Sequence, residues 1–254
     1  DLGMFTALFQ RNIIPSVEEQ QRYSQKKDMQ KIQERLKHLP RNEGYSLANS
    51  NAGMFNNAGS ESVLMPQILT GLQNGEFSFY LQPRFDLNTQ RIVGAEALVR
   101  WNHAKLGLIA PSVFIPILEQ NGYIAKLDQY IWNKVCERIR LWIDEGVRPV
   151  PVAINISKTD ILALDISEVF TRLIDQYRIP PKYIEFDIAQ NAYLESRDVT
   201  LQFERTIQQK GFRVVVDGFK GDFFDLQAGD EAPYADAYKL DLRFCPDDAN
   251  ITAI

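Results

Sequence analysis

From Glu76 onward, short apolar runs alternate with amphipathic stretches of helical period, and this alternation limits the fold more than any other feature of the chain. The candidate strands are Ser78–Gln82, Val93–Arg100, Pro151–Ile156, Tyr183–Ile188, Arg213–Asp217 and Ala237–Leu240. Helical periods lie near Pro111–Gln120, Leu127–Asp144, Ile166–Tyr177 and Val199–Gln209. The clearest is 127–144, where Leu127, Ile131, Val135, Ile139 and Trp142 fall three or four residues apart and form one stripe. Interior strands such as Val152-Ala153-Ile154-Asn155 and Val214-Val215-Val216-Asp217 are apolar until a polar residue near the carboxyl end. Barrel strands present chemistry in this way, burying their walls and lining the site with their C-terminal ends. The pattern predicts an α/β chain with a parallel sheet, with a (β/α) barrel as one form of it.

The first 61 residues read differently. Residues 17–39 predict one polar helix whose Val17, Tyr23, Met29, Ile32 and Leu36 are too sparse for a full core face. It reads as a partly solvated connector, with a dimeric signalling helix as the alternative. Pro40 ends it, and 41–61 is rich in Asn, Gly and Ser, as a flexible linker is. Ser62–Gln73 then predicts a short helix that tolerates Pro66 near its start. The expected organisation is a helical segment over 1–40, a linker over 41–61 and the main domain over 62–254. The chain begins with Asp1, so it is expected to be a piece of a longer protein.

Composition narrows the partners. A formal net charge of −5 excludes a general binder of nucleic-acid polymers that works by neutralising phosphates. No apolar run approaches the roughly 20 residues of a membrane span, so no membrane contact is expected from this chain and the expected location is cytoplasmic. Cys136 and Cys245 suit neither a disulfide framework nor a zinc site and read as small buried apolar side chains. His103 reads as a loop residue and His38 as a solvated one.

Four strand-end residues stand out: Glu96, Asn155, Asp217 and Lys239. In a barrel these ends converge, so Glu96, Asn155 and Asp217 offer hard oxygen ligands for Mg²⁺ or Mn²⁺, and Lys239 can orient a water or neutralise a phosphate. The motifs around them resemble a known family in order. Tyr80-Leu81-Gln82-Pro83 and Arg91-Ile92-Val93-Gly94-Ala95-Glu96-Ala97-Leu98-Val99-Arg100-Trp101 resemble the first two strands of EAL domains. Gly107-Leu108-Ile109-Ala110-Pro111-Ser112-Val113-Phe114-Ile115-Pro116 resembles the loop and helix that follow. Val152-Ala153-Ile154-Asn155-Ile156-Ser157, Ile184-Glu185-Phe186-Asp187-Ile188-Ala189-Gln190-Asn191 and Lys239-Leu240-Asp241 resemble the third, fourth and sixth strands. The resemblance covers about 76–244 and implies a TIM-like (β/α) barrel that hydrolyses cyclic di-GMP to the linear dinucleotide, or binds it uncut. By position it implies metal ligands at Glu96, Asn155 and Asp217, a catalytic lysine at Lys239, and ligand contacts at Gln82, Arg100 and Asp241.

The departures matter as much. Gln190 stands where the family is expected to place a metal-binding glutamate, and Gly218 where it carries a second aspartate. Lys220 replaces a usual glycine, and the chain ends at Ile254 before the family's next glutamate-bearing strand. Six candidate strands, against the eight that close such a barrel, predict an incomplete one. Closely spaced cations repel, and carboxylates offset that repulsion, so no stable two-cation centre is expected. The leading expectation is a degenerate, inactive EAL domain that binds cyclic di-GMP as a receptor or regulatory module. The alternatives are a protein-interaction module that no longer binds nucleotide, and an active Mg²⁺- or Mn²⁺-dependent phosphodiesterase. A homodimer and a further protein partner are both compatible with the family. Phe219, Phe223 and Phe224 in the altered loop read either as packing under the next helix or as an apolar contact face.

Overall fold

The computed structural model describes residues 61–219 and 235–240. The helix expected over 17–39, the linker up to residue 60, His38, Lys220, Phe223, Phe224, Asp241 and Cys245 lie outside the described residues. The chain divides into two compact units, one up to Val152 and one from Ala153.

The first unit opens with α1 (Glu61–Gln73), followed by β1 (Phe77–Phe85), β2 (Ile92–His103), β3 (Gly107–Ile109), α2 (Pro111–Gln120) and α3 (Ile124–Asp144). Its strands depart from the parallel arrangement that the sequence predicts. β1 and β2 pair antiparallel from Phe77↔Trp101 to Phe85↔Ile92, and β3 folds back antiparallel onto β2. The reason is the connection: residues 86–91 are far too few for a crossover, which takes a dozen residues or more. They close a tight turn instead, in which Asp86 Oδ1 accepts from the Thr89 amide at 2.6 Å and Gln90 takes a left-handed φ of 55°.

Alternation along the two strands separates a core face from a polar one. Phe77, Phe79, Leu81, Ala95, Ala97 and Trp101 are buried. Phe77 stacks on Trp101 with centroids 5.2 Å apart, and Phe114 of α2 meets both edge-on. The Trp101 indole N–H donates to Glu76 Oε2 at 2.9 Å, which satisfies the one polar atom of a buried ring. α1 passes so close that a Cβ at Gly71 would lie 2.9 Å from that indole nitrogen. α3 buries the stripe that its period announces, from Leu127 and Ile131 through Val135 and Ile139 to Trp142, with Cys136 beside it.

The second unit runs β4 (Val152–Ile156), α4 (Lys158–Ala163), α5 (Ile166–Tyr177), a 3-10 turn (Pro181–Tyr183), β5 (Ile184–Ala189), α6 (Gln190–Glu195), α7 (Arg197–Gln209), β6 (Arg213–Phe219) and β7 (Ala237–Leu240). Its strands lie in the order β4-β5-β6-β7, and β5–β6 and β6–β7 are parallel, as predicted. Ser157 and Asp160 form a reciprocal capping box that starts α4, and the Asp165 side chain caps α5. Phe170 of α5 meets Phe186 of β5 edge-on at 4.7 Å, and Phe212 and Phe203 complete an aromatic layer around Phe186.

A buried charged group on the helical side has a shifted acidity. Glu204 of α7 is only 1% exposed. Burial pushes its carboxyl up from an ordinary 4.5 to about 7, with repulsion from Asp236 adding to the rise and the Tyr193 hydroxyl and Arg205 opposing it. Tyr238 of β7, whose own hydroxyl is raised by burial and by Glu204, faces the same group. Between pH 4.5 and 7 the folded chain holds a proton that the unfolded chain has released, so stability falls as pH rises through that window and levels off above it. Glu204→Gln is expected to flatten this dependence and to stabilise the fold at pH 8 by about 2 kcal/mol, with little effect at pH 4.5, as read by urea denaturation at both pH values.

Candidate functional site

The polar face of the first unit is set by register. On β1, Ser78, Tyr80, Gln82 and Arg84 alternate with the buried Phe77, Phe79 and Leu81. On β2, Gly94, Glu96, Leu98 and Arg100 alternate with Ala95, Ala97 and Trp101 in the same way. The pairing places Gln82 directly opposite Glu96, and Ser78 opposite Arg100. Two sequence-predicted residues, a ligand contact and a metal ligand, therefore share one rung of the hairpin. The Arg100 guanidinium lies over the Tyr80 ring, 5.4 Å from its centroid, and its Nη1 donates to the Val99 carbonyl at 2.8 Å. Arg84 lies over Gly94, where any side chain would collide with its guanidinium. His103 is occupied structurally: its Nδ1 accepts from the Lys105 and Leu106 amides at 3.0 and 3.2 Å, and Nε2 meets Gln67.

The second unit gathers its charges on the face of the sheet opposite the aromatic layer. β5 is buried from Ile184 to Ile188, with Ile184, Phe186 and Ile188 on one side and Glu185 and Asp187 on the other. Both acidic groups have a basic partner. Glu185 sits opposite Arg213 in register, and Arg213 Nη1 reaches its Oε1 at 3.0 Å. Asp187, whose side chain is fully buried, is ion-paired with Lys239 of β7 through Oδ2 and Nζ. The sequence singles out Lys239 but not Asp187. The signal was available in the alternation of Glu185 and Asp187, two residues apart along a strand of otherwise apolar side chains.

The remaining predicted positions are spread along this unit. Asn155 is the exposed residue of the otherwise buried β4. Asp217 stands opposite Ala189 near the end of β6, and its Oδ1 accepts from the Gly218 amide at 2.8 Å. Gly218 takes a φ of +72°, where the β6–β7 register shifts between Val216 and Phe219. Glycine suits such a bulge because it enters the left-handed region at no steric cost. Gln190 is the first residue of α6, just beyond the end of β5. Among the described residues, no three His, Cys, Asp or Glu side chains cluster at metal-binding separation. No helix among them is long and apolar enough to cross a membrane.

Comparison with known proteins gives this arrangement a family. Residues 66–252 match the EAL domain. The chain is 27% identical over 185 residues to the cyclic di-GMP phosphodiesterase RocR of Pseudomonas aeruginosa, a match covering 73% of this chain and 47% of RocR. It is 30% identical over 156 residues to the biofilm architecture maintenance protein MbaA of Vibrio cholerae, covering 61% of this chain and 20% of MbaA. The chain thus spans less than half the length of either relative. Among solved structures, the PaMucR phosphodiesterase in complex with cyclic di-GMP superposes with a TM-score of 0.60 at 21% identity, over 70% of each chain. The fold is accordingly the TIM-like (β/α) barrel of such domains. The chain belongs to the EAL domain family, whose members include cyclic di-GMP phosphodiesterases.

Proposed function

We propose that this chain binds cyclic di-GMP as a receptor or regulatory module and does not hydrolyse it. The observation that carries the reading is the ion pair between Asp187 and Lys239. The pair holds the ammonium group of Lys239, at the position of the family's catalytic lysine, against a fully buried carboxylate on the next strand but one. Gly218 supplies no side-chain oxygen, and Asp217 spends one of its own on the adjacent backbone amide. The described residues of this unit therefore do not fit a two-cation centre, and no metal is assigned to them. Glu96, Asn155, Asp217 and Lys239 stand as a vestigial set, with Gln190 and Gly218 at degenerate ligand positions.

The groups that would hold the dinucleotide need no metal. Gln82 and Arg100 lie on one face of the β1–β2 hairpin, and Arg100 offers the planar, charge-assisted donors that a phosphate oxygen or a guanine edge accepts. Asp241 is assigned to the same ligand as an acceptor for a guanine edge. The solved relative PaMucR, itself complexed with cyclic di-GMP, supports this choice of ligand.

Calorimetric titration of cyclic di-GMP in EDTA, then with Mg²⁺ or Mn²⁺, tests the reading when the nucleotide is analysed afterwards. Binding in EDTA with intact ligand is expected, as is loss of measurable binding in Arg100→Ala. Linear product in the metal samples would establish hydrolysis, and no heat from a folded chain would favour a module that contacts only proteins. The ion pair makes a separate prediction. Lys239→Met leaves a buried carboxylate unpaired and is expected to cost about 3 kcal/mol in urea denaturation, most of it recovered in Lys239→Met/Asp187→Leu.

A further inference from the structure

We propose that Tyr80 is the positioning residue for Arg100, holding its guanidinium by stacking so that the N–H edge is presented to the anionic or purine part of the ligand. The proposal rests on the cyclic di-GMP reading above for the identity of that ligand, and on the geometry of the hairpin for the rest. Tyr80 pairs with Leu98 across β1–β2, and Arg100 lies two residues further along β2 on the same face, the diagonal neighbour within reach of long side chains. The guanidinium carbon sits 5.4 Å from the ring centroid, inside the range at which an aromatic face attracts a cation. A second restraint is the 2.8 Å hydrogen bond from Nη1 to the carbonyl of Val99.

These two contacts act in different directions. The ring occupies one face of the guanidinium plane and the carbonyl takes one N–H at its rim, so rotation about the last side-chain bonds is restrained from both. A free arginine loses substantial rotamer freedom when it engages a ligand, and an arginine already held in place loses less. The ring is what matters for this role. Phenylalanine has the same face, whereas leucine and methionine fill comparable space without one.

The test uses cyclic di-GMP as probe, with affinity measured by calorimetry in EDTA for the wild type and the variants Tyr80→Phe, Tyr80→Leu and Tyr80→Met. Tyr80→Phe is expected to bind within about two-fold of wild type, and the two ring-less variants about five-fold more weakly, the equivalent of ~1 kcal/mol. A second readout needs no ligand: ¹⁵N relaxation of the Arg100 Nε–H group. It is expected to be rigid in wild type and Tyr80→Phe and mobile in Tyr80→Leu and Tyr80→Met. Equal losses in Tyr80→Phe and Tyr80→Leu would overturn the proposal by making the hydroxyl the contributor. Unchanged Arg100 relaxation on removal of the ring would overturn it as well. If the wild type itself shows no heat, the ligand reading falls, and the positioning role still stands or falls by the relaxation measurement.

Discussion

Neighbouring side chains on a strand point to opposite faces, and each unit of this protein uses that constraint to keep the charges of its strands off the aromatic face. In the hairpin, the face bearing Phe77 and Trp101 packs against Phe114 of α2, while the face bearing Gln82, Glu96 and Arg100 stays polar. In the parallel sheet, Phe186 anchors an aromatic layer on one side and Asp187 meets a lysine on the other. A slip of one residue in either register would bury arginine and glutamate among phenylalanines. The hydrophobic pattern therefore fixes which polar groups can meet, before any of them makes a contact.

The chemistry of the second unit follows from how its charges are balanced. Two buried carboxylates, Glu185 and Asp187, are each matched by a cationic side chain from a neighbouring part of the sheet. Ion pairs of this kind satisfy the charge internally and replace the external cation that a cluster of unmatched carboxylates would require. The bulge at Gly218 works in the same direction, because its left-handed backbone takes up the amide that Asp217 accepts from. Together they underlie the proposed reading of a chain that receives a preformed ligand without assembling a metal centre.

The long elements of the fold are legible in the sequence because their signals are physical repeats. The stripe on α3 and the apolar runs of β4, β5 and β6 appear where they are predicted, within one to three residues at their ends. The antiparallel hairpin is less legible, since apolar alternation does not encode direction and only the length of the 86–91 turn does. Short elements such as β3, α4 and α6 carry too few residues to show a period. The candidate site is legible in the same uneven way. Gln82, Glu96 and Arg100 emerge from their motif, whereas Asp187 is hidden because its partner Lys239 lies 52 residues away and no local pattern pairs them. Glu204 is invisible for a different reason: a glutamate in a polar-looking helix gives no hint that its neighbours will exclude water from it.

The contact at Gly71 has a mechanical meaning. α1 is the first described element of the chain, and it touches the indole of Trp101 with no room for even one added carbon atom. Trp101 in turn is tied to Glu76, stacked on Phe77 and covalently next to Arg100. Tightly packed interiors transmit displacement because they have no slack in which to absorb it. A displacement of α1 toward β2 would therefore have to move Trp101 or its partner Glu76, because the packing at Gly71 leaves no space to absorb it.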